Sequence, residues 1–398
     1  MSDAVAGITS TGSKRPEALF GGPVPGMPRA MVRSSGCRVR DAEGREYVDF
    51  LMALGAVALG YAHPAVTEAV VQAVRDGGVG PLPPVLEEEV ARELHALIPW
   101  VEQVRFLKTG AEAMAAAVRL ARTATGREAV LGCGYHGWLD WSQGPDAPGV
   151  PASTRALYAE LPFNDPERAR DRIRRAGDTL AAVVFEPVIL GPPDPEWLAV
   201  LREETTRTGA ILIADEIKTI GRLAVGGGAE RFGFRPDLVV MAKAIANGFP
   251  LAAVGGRRDI MAAVSRTWIS STLATEWVSL AAARATLRVM VDRGVPAHLG
   301  RLGARLLAGM VGLAARYPEV VRSAAGLPEM CCFEFHEPGA GAALAVETAR
   351  RGVLFKRSPY NFVSLAHDEA AIDLALGVLD ESLRAIAPEA HRRARDSR

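Results

Sequence analysis

Several apolar runs of this 398-residue chain end in residues that can do chemistry. The residues that follow them are Glu186 after LAAVVF, Asp215 after AILIA, Lys243 after VVMA, and Thr109 and Gly110 after VRFLK. Runs in which polar residues do not alternate with apolar ones are typical of strands buried on both faces of a parallel sheet. Because ligands of such sheets bind at the carboxyl ends of the strands, we expect these residues to share one edge.

Asp215 and Lys243, at two of these strand ends, constrain each other's charge. A buried carboxylate needs a cation or a strong donor, and a protonated ring nitrogen would serve. Lys243 is one of only five lysines among 46 basic residues, and Ala242 and Ala244 would desolvate it. Desolvation lowers the pKa of an amine and makes it a nucleophile. The alternative is a structural ion pair between Asp215 and Lys243.

The segment KTGAEAMAAAVRLARTATG predicts a helix that begins at the same edge. Thr109 and Glu112 fit the capping box S/T-x-x-E, and Gly126 is placed as the helix stop. Free N–H groups and the positive dipole end of such a helix suit a phosphate, although an ordinary capped helix has the same pattern. A phosphate cradle, a carboxylate for a ring nitrogen and a low-pKa lysine together meet the requirements of pyridoxal 5′-phosphate (PLP).

Composition and charge argue against other classes of protein. Acidic and basic residues balance at 46 each, so no global field attracts nucleic acid or an anionic membrane. No apolar stretch approaches the roughly 20 residues of a membrane span, and no secretory pattern is present, so we expect a cytoplasmic protein. The four cysteines lack C-x-x-C spacing, which predicts neither a zinc site nor disulfides. We expect no metal, no nucleic acid and no membrane partner.

The elements that position the site are expected in three parts. Residues 1–55 contain a Gly- and Pro-rich arm, interpreted as an interface segment, and the hairpin GCRVRDAEGREYVDF. Residues 56–290 alternate amphipathic helices with apolar runs, which predicts a large α/β domain whose mainly parallel sheet is flanked by helices. Residues 291–398 are mostly helical around the strand CCFEF and predict a smaller α+β domain.

Six segments, in family order, resemble class III aminotransferases of PLP fold type I, closest in style to the glutamate semialdehyde aminomutase branch. They are GCRVRDAEGREYVDF, TGAEA, TGREAVLGCGYHGW, LIADEIKTIGR, RPDLVVMAKAIANGFPLAAVGGRRDIM and SSTLATEWVSLAAA. A lone match would mean little, but six in register, with Asp215 and Lys243 28 positions apart, make accident improbable. The resemblance implies a PLP-dependent transferase of fold type I.

The resemblance also implies roles around the cofactor ring. Lys243 would hold PLP as the internal aldimine and later move the substrate proton. Asp215 would keep the pyridine nitrogen protonated, while Ile217 and Tyr135 would pack on the two ring faces. Tyr135 could instead be a core aromatic, and His136 is interpreted as a structural histidine.

Further roles concern the phosphate and the partner subunit. Thr109, Gly110 and Ala111 would hold the phosphate, although Ala111 replaces the family's usual threonine. Thr272 of SSTL would reach the phosphate from the neighbouring protomer, which makes a homodimer the expected assembly.

Glu186 and Lys218 are candidates for contacts with the substrate. Glu186 could gate or orient the substrate, or simply end a strand before proline. Lys218 follows DEI, where relatives often have methionine, glutamine or a small residue. It could approach the cofactor, bind an oxygen-rich substrate, or bridge to a nearby carboxylate.

Departures from the aminomutase pattern bear on the reaction. ALFGGP stands where that branch has an arginine-bearing SPVRAF-like segment, and Ala53-Leu54-Gly55 replaces its SWG. The missing carboxylate clamp argues against glutamate semialdehyde as substrate. DEIK with AKAIANG resembles enzymes that aminate aldehydes or ketones of sugars and other specialised-metabolite precursors. We predict a ping-pong aminotransferase that carries the amino group from a donor to an oxo acceptor through pyridoxamine phosphate. An aminomutase or an epimerase is the alternative, and donor, acceptor and stereochemistry stay open.

Overall fold

The computed structural model describes residues 4–396, which divide into two compact units. The larger unit is Pro64–Pro296, and the smaller one combines the chain up to His63 with the chain from Ala297 onward. The strands are β1 (Met31–Ser35), β2 (Arg38–Asp41), β3 (Glu46–Asp49), β4 (Gln103–Leu107), β5 (Ala129–Cys133), β6 (Tyr158–Glu160), β7 (Leu180–Phe185), β8 (Ile211–Asp215), β9 (Leu238–Met241), β10 (Ala252–Gly256), β11 (Val321–Leu327), β12 (Met330–Phe335), β13 (Val353–Leu354) and β14 (Asn361–Phe362). The helices are α1 (Pro16–Phe20), α2 (Met52–Gly55), α3 (Pro64–Arg75), α4 (Val85–Leu97), α5 (Gly110–Thr125), α6 (Ala152–Arg155), α7 (Pro166–Ala176), α8 (Pro195–Thr208), α9 (Gly227–Phe232), α10 (Arg258–Met261), α11 (Trp277–Asp292), α12 (Val295–Arg316), α13 (Pro338–Arg350) and α14 (Glu369–Asp396).

A seven-stranded sheet in the order β4-β10-β9-β8-β7-β5-β6 forms the centre of the larger unit. Strands β9, β8, β7, β5 and β6 pair in parallel, and β10 pairs antiparallel with both β9 and β4. Strand β4 therefore runs in the same direction as β9. The carboxyl ends of β4, β5, β7, β8 and β9 consequently meet at one edge, and the predicted mainly parallel sheet is confirmed.

Both faces of this sheet are covered, which explains why its strands lack a polar alternate. Ala182 and Val184 of β7 belong to the core cluster that includes helix α5. Val183 and Phe185 of the same strand belong to a second cluster with α7 and α8, where Phe185 packs edge to face on Trp197. Successive side chains of a strand point to opposite faces, so both faces must be apolar.

Helix α5 begins and ends where the sequence predicts. The Thr109 hydroxyl accepts the N–H of Glu112, and the Glu112 carboxylate accepts the N–H of Thr109 at 2.9 Å, which completes the capping box. Gly126 ends the helix in the left-handed conformation, with φ of 71°. These local signals hold the helix N-terminus at the carboxyl edge of the sheet.

The smaller unit contains a four-stranded sheet, β1-β2-β3-β13, and a three-stranded sheet, β11-β12-β14. The hairpin of β2 and β3 is confirmed. The N-terminal segment departs from the irregular arm that was expected, since Pro16–Phe20 form helix α1. Phe20 and Met27 are buried with Val39, Tyr47 and residues of α13, and this burial stabilises a segment whose Gly- and Pro-rich sequence carries little helical signal.

The short helix α2, Met52–Gly55, is a strained left-handed turn that contains Ala53-Leu54-Gly55, the residues that replace SWG of the aminomutase branch. The four φ angles are 44°, 49°, 61° and 84°, and non-glycine residues in this left-handed region cost roughly 1–2 kcal/mol each. The buried carboxylate of Asp49 accepts the N–H of Leu51 at 2.8 Å and the hydroxyl of Tyr61 at 2.7 Å. The Tyr61 oxygen in turn accepts the N–H of Ala53, so the turn is held by hydrogen bonds.

No helix within residues 4–396 has the length and apolar content needed to cross a membrane. All four cysteines, Cys37, Cys133, Cys331 and Cys332, are buried and unpaired. Burial raises the pKa of each thiol, which disfavours the reactive thiolate.

Two glycines on α12 test the packing of the smaller unit. A Cβ on Gly303 would lie 1.8 Å from the carbonyl oxygen of Pro328, so Gly303→Ala must displace the helix or the backbone it packs on. We expect Gly303→Ala to lower the free energy of unfolding by more than about 3 kcal/mol. A Cβ on Gly312 meets no atom within 4 Å, so Gly312→Ala should raise stability by up to about 1 kcal/mol. Urea unfolding measures both, and equal stability of the two variants would contradict this packing.

Candidate active site

The carboxyl edge of the large sheet borders a cavity of about 590 Å³. Its lining includes Thr109, Gly110 and Ala111 at the start of α5, Tyr135, His136 and Trp138 after β5, Glu186 after β7, Asp215, Ile217 and Lys218 after β8, and Lys243 after β9. The structure thus brings every predicted site residue to one cavity except Thr272. Thr272 is exposed, lies between the 3₁₀ helix Ala262–Arg266 and α11, and does not line this cavity.

Lys243 follows β9 in an unusual backbone conformation and among small buried neighbours. Its φ is 49°, in the left-handed region, and Ala242 and Ala244 are buried. Burial, assisted by the nearby Lys218 cation and opposed by the charges of Asp215 and Glu186, lowers the pKa of the Lys243 amine to about 8. A sizeable fraction of the amine is therefore uncharged and nucleophilic at mildly alkaline pH.

Asp215 is paired with a histidine, not with the lysine. The Nδ1 atom of His136 lies 2.8 Å from Asp215 Oδ2, and both residues are buried. Because a carboxylate only accepts hydrogen bonds, Nδ1 carries the hydrogen. Asp215 Oδ1 accepts the N–H of Ile217 at 3.2 Å. Within residues 4–396 no ion pair joins Asp215 to Lys243, so the structural ion pair considered from the sequence is wrong.

His136 therefore does more than the sequence analysis assigned to it. It fixes the orientation of the Asp215 carboxylate, and its Nε2 atom is buried with no hydrogen-bond partner among the described residues. The only sequence signal for this contact was its place beside Tyr135 after a strand at the same edge.

Buried Glu186 and half-buried Lys218 form a second pair at this edge. Lys218 Nζ lies 2.8 Å from both carboxylate oxygens of Glu186, which is 4% exposed. Burial raises the pKa of the Glu186 carboxyl, while the Lys218 cation acts in the opposite direction. Of the three possibilities for Lys218, bridging to a nearby carboxylate is confirmed.

Glu216, the neighbour of Asp215, is a residue that the sequence analysis missed. It is fully buried and accepts the N–H groups of Gly228 and Ala229, both at 2.7 Å, and the hydroxyl of Thr219. Burial raises the pKa of its carboxyl to about 7. These bonds tie the segment after β8 to the start of α9 and so hold Asp215 and Lys218 in place.

The start of α5 offers an anion site to the cavity. Within the described chain, the N–H groups of Gly110 and Ala111 have no hydrogen-bond partner, since the capping box uses those of Thr109 and Glu112. A Cβ on Gly110 would lie 2.7 Å from Cδ1 of Ile217, so glycine leaves room for that side chain. Free N–H groups at a helix N-terminus bind phosphate well.

Together these groups fit PLP. The cavity offers free donors for a phosphate, a carboxylate held by His136 for a protonated ring nitrogen, and an amine of lowered pKa for the aldehyde. The exposed ring of Tyr135 and the Ile217 side chain provide apolar surface for a flat heterocycle. This combination is what the chemistry of the cofactor requires from a protein.

Comparison with known proteins agrees with this geometry. The family model "Aminotransferase class-III" matches residues 22–368. Glutamate-1-semialdehyde 2,1-aminomutase of Thermomicrobium roseum is 36% identical to this chain over an alignment of 403 residues, gaps included. The alignment covers 90% of this chain and 92% of that protein.

Solved structures with the same fold include two described with PLP. A transaminase with PLP bound has a TM-score of 0.87 and 29% identity, with 94% of each chain covered. The PLP internal aldimine form of the FumI protein of Sphingopyxis sp. MTA144 has a TM-score of 0.90 and 25% identity, covering 95% of this chain and 93% of that one.

The lowered pKa of Lys243 predicts an unusual pH profile for its amine. In cofactor-free protein, labelling of Lys243 by a small aldehyde and a reductant should rise with pH and level off above about 8, because an amine of lowered pKa loses its proton at lower pH. Mass spectrometry of the Lys243 peptide measures the labelled fraction, with the peptide of exposed Lys14 as a reference in each sample. Labelling of Lys243 that keeps rising to the ordinary value of 10.5 would contradict this assignment.

Proposed function

The chain belongs to the class III aminotransferases, PLP-dependent enzymes of fold type I, and we propose that it transfers an amino group from a small donor to an aldehyde or ketone acceptor without a carboxylate clamp. The proposal that the acceptor is bound without a carboxylate clamp rests on which cations line the cavity. The described lining contains lysines but no arginine.

Two of the three lining lysines already have carboxylate partners. The Nζ atom of Lys108 lies 2.6 Å from Oε1 of Glu276, and the Nζ atom of Lys218 lies 2.8 Å from Oε1 of Glu186. The third, Lys243, is the proposed cofactor lysine. Carboxylate groups of substrates are usually held by the planar fork of arginine, so this lining favours an acceptor that has no carboxylate.

Exposed aromatic rings and a pair of less exposed polar groups in the cavity support a hydroxyl-rich acceptor, such as a sugar precursor. Tyr135 and Trp138 line the cavity with 69% and 73% of their surface exposed. Glu186 and Lys218 supply an acceptor and a donor of hydrogen bonds at the same place. Apolar walls with a few converging polar groups are the usual make-up of small-molecule sites. We propose that Glu186 and Lys218 orient the acceptor.

Each remaining residue has a proposed task in the reaction. When bound, PLP supplies a ring that accepts the electron pair left as a proton leaves the substrate carbon. The Nζ atom of Lys243 takes up this proton and returns it. Asp215, oriented by His136, holds a proton on the ring nitrogen. The phosphate-binding groups are Thr109 and the N–H groups of Gly110 and Ala111.

We also propose a homodimer in which Thr272 reaches the phosphate of the neighbouring subunit. The segment before α4 contacts the start of α11, where the N–H of Trp277 donates to the carbonyl oxygen of Gly78 at 2.8 Å. Large apolar side chains are exposed before α11 and around the start of α4, namely Val79, Leu82, Val85, Trp268 and Leu273. We propose that these exposed apolar side chains contribute to the interaction surface of the dimer.

The dimer is tested by sedimentation. We expect the 42.2 kDa chain to sediment at about twice that mass, and Leu273→Asp, which places a charge in the exposed patch, to shift it toward the monomer. The exposed Val311→Asp, on α12, is the control and should leave the mass unchanged. A monomeric wild-type chain at micromolar concentration would contradict the proposal.

The proposed reaction predicts two coupled spectral changes. The PLP-loaded protein should lose its yellow band on addition of glutamate as donor, and a sugar aldehyde or ketone should restore the band and appear as an amine by mass spectrometry. Glutamate semialdehyde, which carries a carboxylate, should restore it more slowly. A yellow band that no amino donor bleaches would contradict an aminotransferase.

The similarity to an aminomutase favours a second candidate function, the transfer of an amino group within one molecule. A donor labelled with heavy nitrogen separates the two candidates. An aminotransferase places the donor's nitrogen in the product, whereas an aminomutase keeps the nitrogen of the substrate itself. Label-free product from glutamate semialdehyde would replace the first proposal by the second.

A further inference from the structure

The segment that leads into α5 is tied to the start of α11 by an ion pair. The Nζ atom of Lys108 lies 2.6 Å from Oε1 of Glu276, and the two side chains are only 14% and 15% exposed. The two residues are 168 positions apart, so the contact joins separate elements of the larger unit. Burial acts to raise the pKa of the Glu276 carboxyl, but hydrogen bonds from Lys108 and Ser279 outweigh burial and lower this pKa, so the group is a carboxylate.

Lys108 is placed directly before the groups that suit a phosphate. It immediately precedes residues 109–111, and all four residues line the cavity. The N–H of Lys108 donates to the Glu112 carboxylate at 3.2 Å, and the same carboxylate accepts the N–H of Thr109. The backbone of Lys108 is therefore part of the capping arrangement at the start of α5. Holding its side chain consequently helps to hold the free N–H groups of Gly110 and Ala111.

Glu276 ends the segment that carries Thr272. Two backbone hydrogen bonds fold this segment into consecutive turns, from the N–H of Ala274 to Ser271 at 3.1 Å and from the N–H of Glu276 to Leu273 at 3.3 Å. The Glu276 carboxylate also accepts two N–H groups of the first turn of α11, at 2.7 and 3.0 Å. The position of Thr272 thus follows from that of Glu276.

We propose that Lys108 and Glu276 are positioning residues for the cofactor phosphate, whose ion pair fixes the start of α5 relative to the segment that carries Thr272. The inference rests on the proposed function, in which residues 109–111 bind the phosphate of their own subunit and Thr272 reaches that of the neighbouring subunit. One ion pair then sets both kinds of phosphate ligand in each subunit. Neither residue of the pair touches the phosphate itself.

Direct binding of the phosphate by Lys108 is the competing explanation, since this lysine lines the cavity. The Glu276 carboxylate argues against it, because a carboxylate at 2.6 Å compensates the charge of the ammonium group and repels a phosphate. The two explanations predict opposite effects when the charge of Glu276 is removed. Positioning predicts weaker binding of a phosphate ligand, whereas direct binding predicts tighter binding because Lys108 is released.

The test measures the affinity of cofactor-free protein for pyridoxamine 5′-phosphate, which carries the phosphate but has no aldehyde to react with Lys243, by isothermal titration calorimetry. Lys108→Met and Glu276→Gln should each weaken binding about tenfold, and the double variant should weaken it no more than either one, because all three lose the same contact. Lys108→Arg keeps the charge and should bind like wild type. Arg284→Met breaks ion pairs between α11 and α4, at 2.7 and 3.0 Å, and is the matched control that should leave the affinity unchanged.

A second comparison tests the part that concerns Thr272. Thr272→Val should weaken binding about tenfold, because a hydrogen bond to a charged group is lost. Adding Glu276→Gln to this variant should cost less than Glu276→Gln costs in the wild-type chain, because the hydroxyl that it would misplace is already gone. A Thr272→Val protein that binds like wild type, or a monomeric wild-type chain, overturns this part together with the proposed dimer contact. The comparison of Lys108 and Glu276 variants still decides the part that concerns α5.

Weaker binding in Glu276→Gln, not additive with Lys108→Met and recovered in Lys108→Arg, is the expected result. Tighter or unchanged binding in Glu276→Gln overturns the proposal, and so do additive losses in the double variant. An equal loss in Arg284→Met also overturns it, because it would show a general effect of loosening α11. If Lys108→Met does not fold, the sign of the change in Glu276→Gln decides.

Discussion

Ionisable groups that share the edge of a buried sheet must compensate one another, because each unpaired charge costs several kcal/mol there. The parallel strands of the larger unit bring Asp215, Glu186, Lys218 and Lys243 to one such edge. Asp215 is satisfied by His136 and Glu186 by Lys218. Among the residues that the structure describes, Lys243 is left without an ion-pair partner, and its amine is the group that burial pushes toward the uncharged form. The distribution of partners thus decides which residue can act as a nucleophile.

The sequence predicts the strand ends but not how their side chains pair. Apolar runs without a polar alternate identify strands covered on both faces, and the residues after them fall at one edge whatever the details of packing. The capping box of α5 is equally local. By contrast, the contact of His136 with Asp215 joins residues 79 positions apart, and that of Lys218 with Glu186 joins residues 32 positions apart. Such contacts depend on rotamers and on the spacing of loops.

Sequence patterns also do not predict the direction of a strand, or a helix that forms only because its side chains are buried by the rest of the fold. Strand β10 carries an apolar run like its neighbours, yet it is antiparallel to β9 and β4, because the composition of a run does not encode its direction. Helix α1 forms in a Gly- and Pro-rich segment because Phe20 is buried in the core of the smaller unit. Similarity to an aminomutase likewise shows the family but not the substrate. The fold depends on the whole chain, whereas substrate specificity depends on a few side chains in the cavity.

The most direct test of Lys243 as the cofactor lysine is to find where PLP is attached. Borohydride reduction of the PLP-loaded protein fixes the cofactor to the amine that holds it, and peptide mapping by mass spectrometry locates the added mass. We expect the mass on Lys243 alone, and none in a Lys243→Ala protein treated in the same way. Attachment at Lys218 or Lys108, or no attachment after incubation with excess PLP, would contradict the central claim that the uncharged amine at the end of β9 is the reactive group.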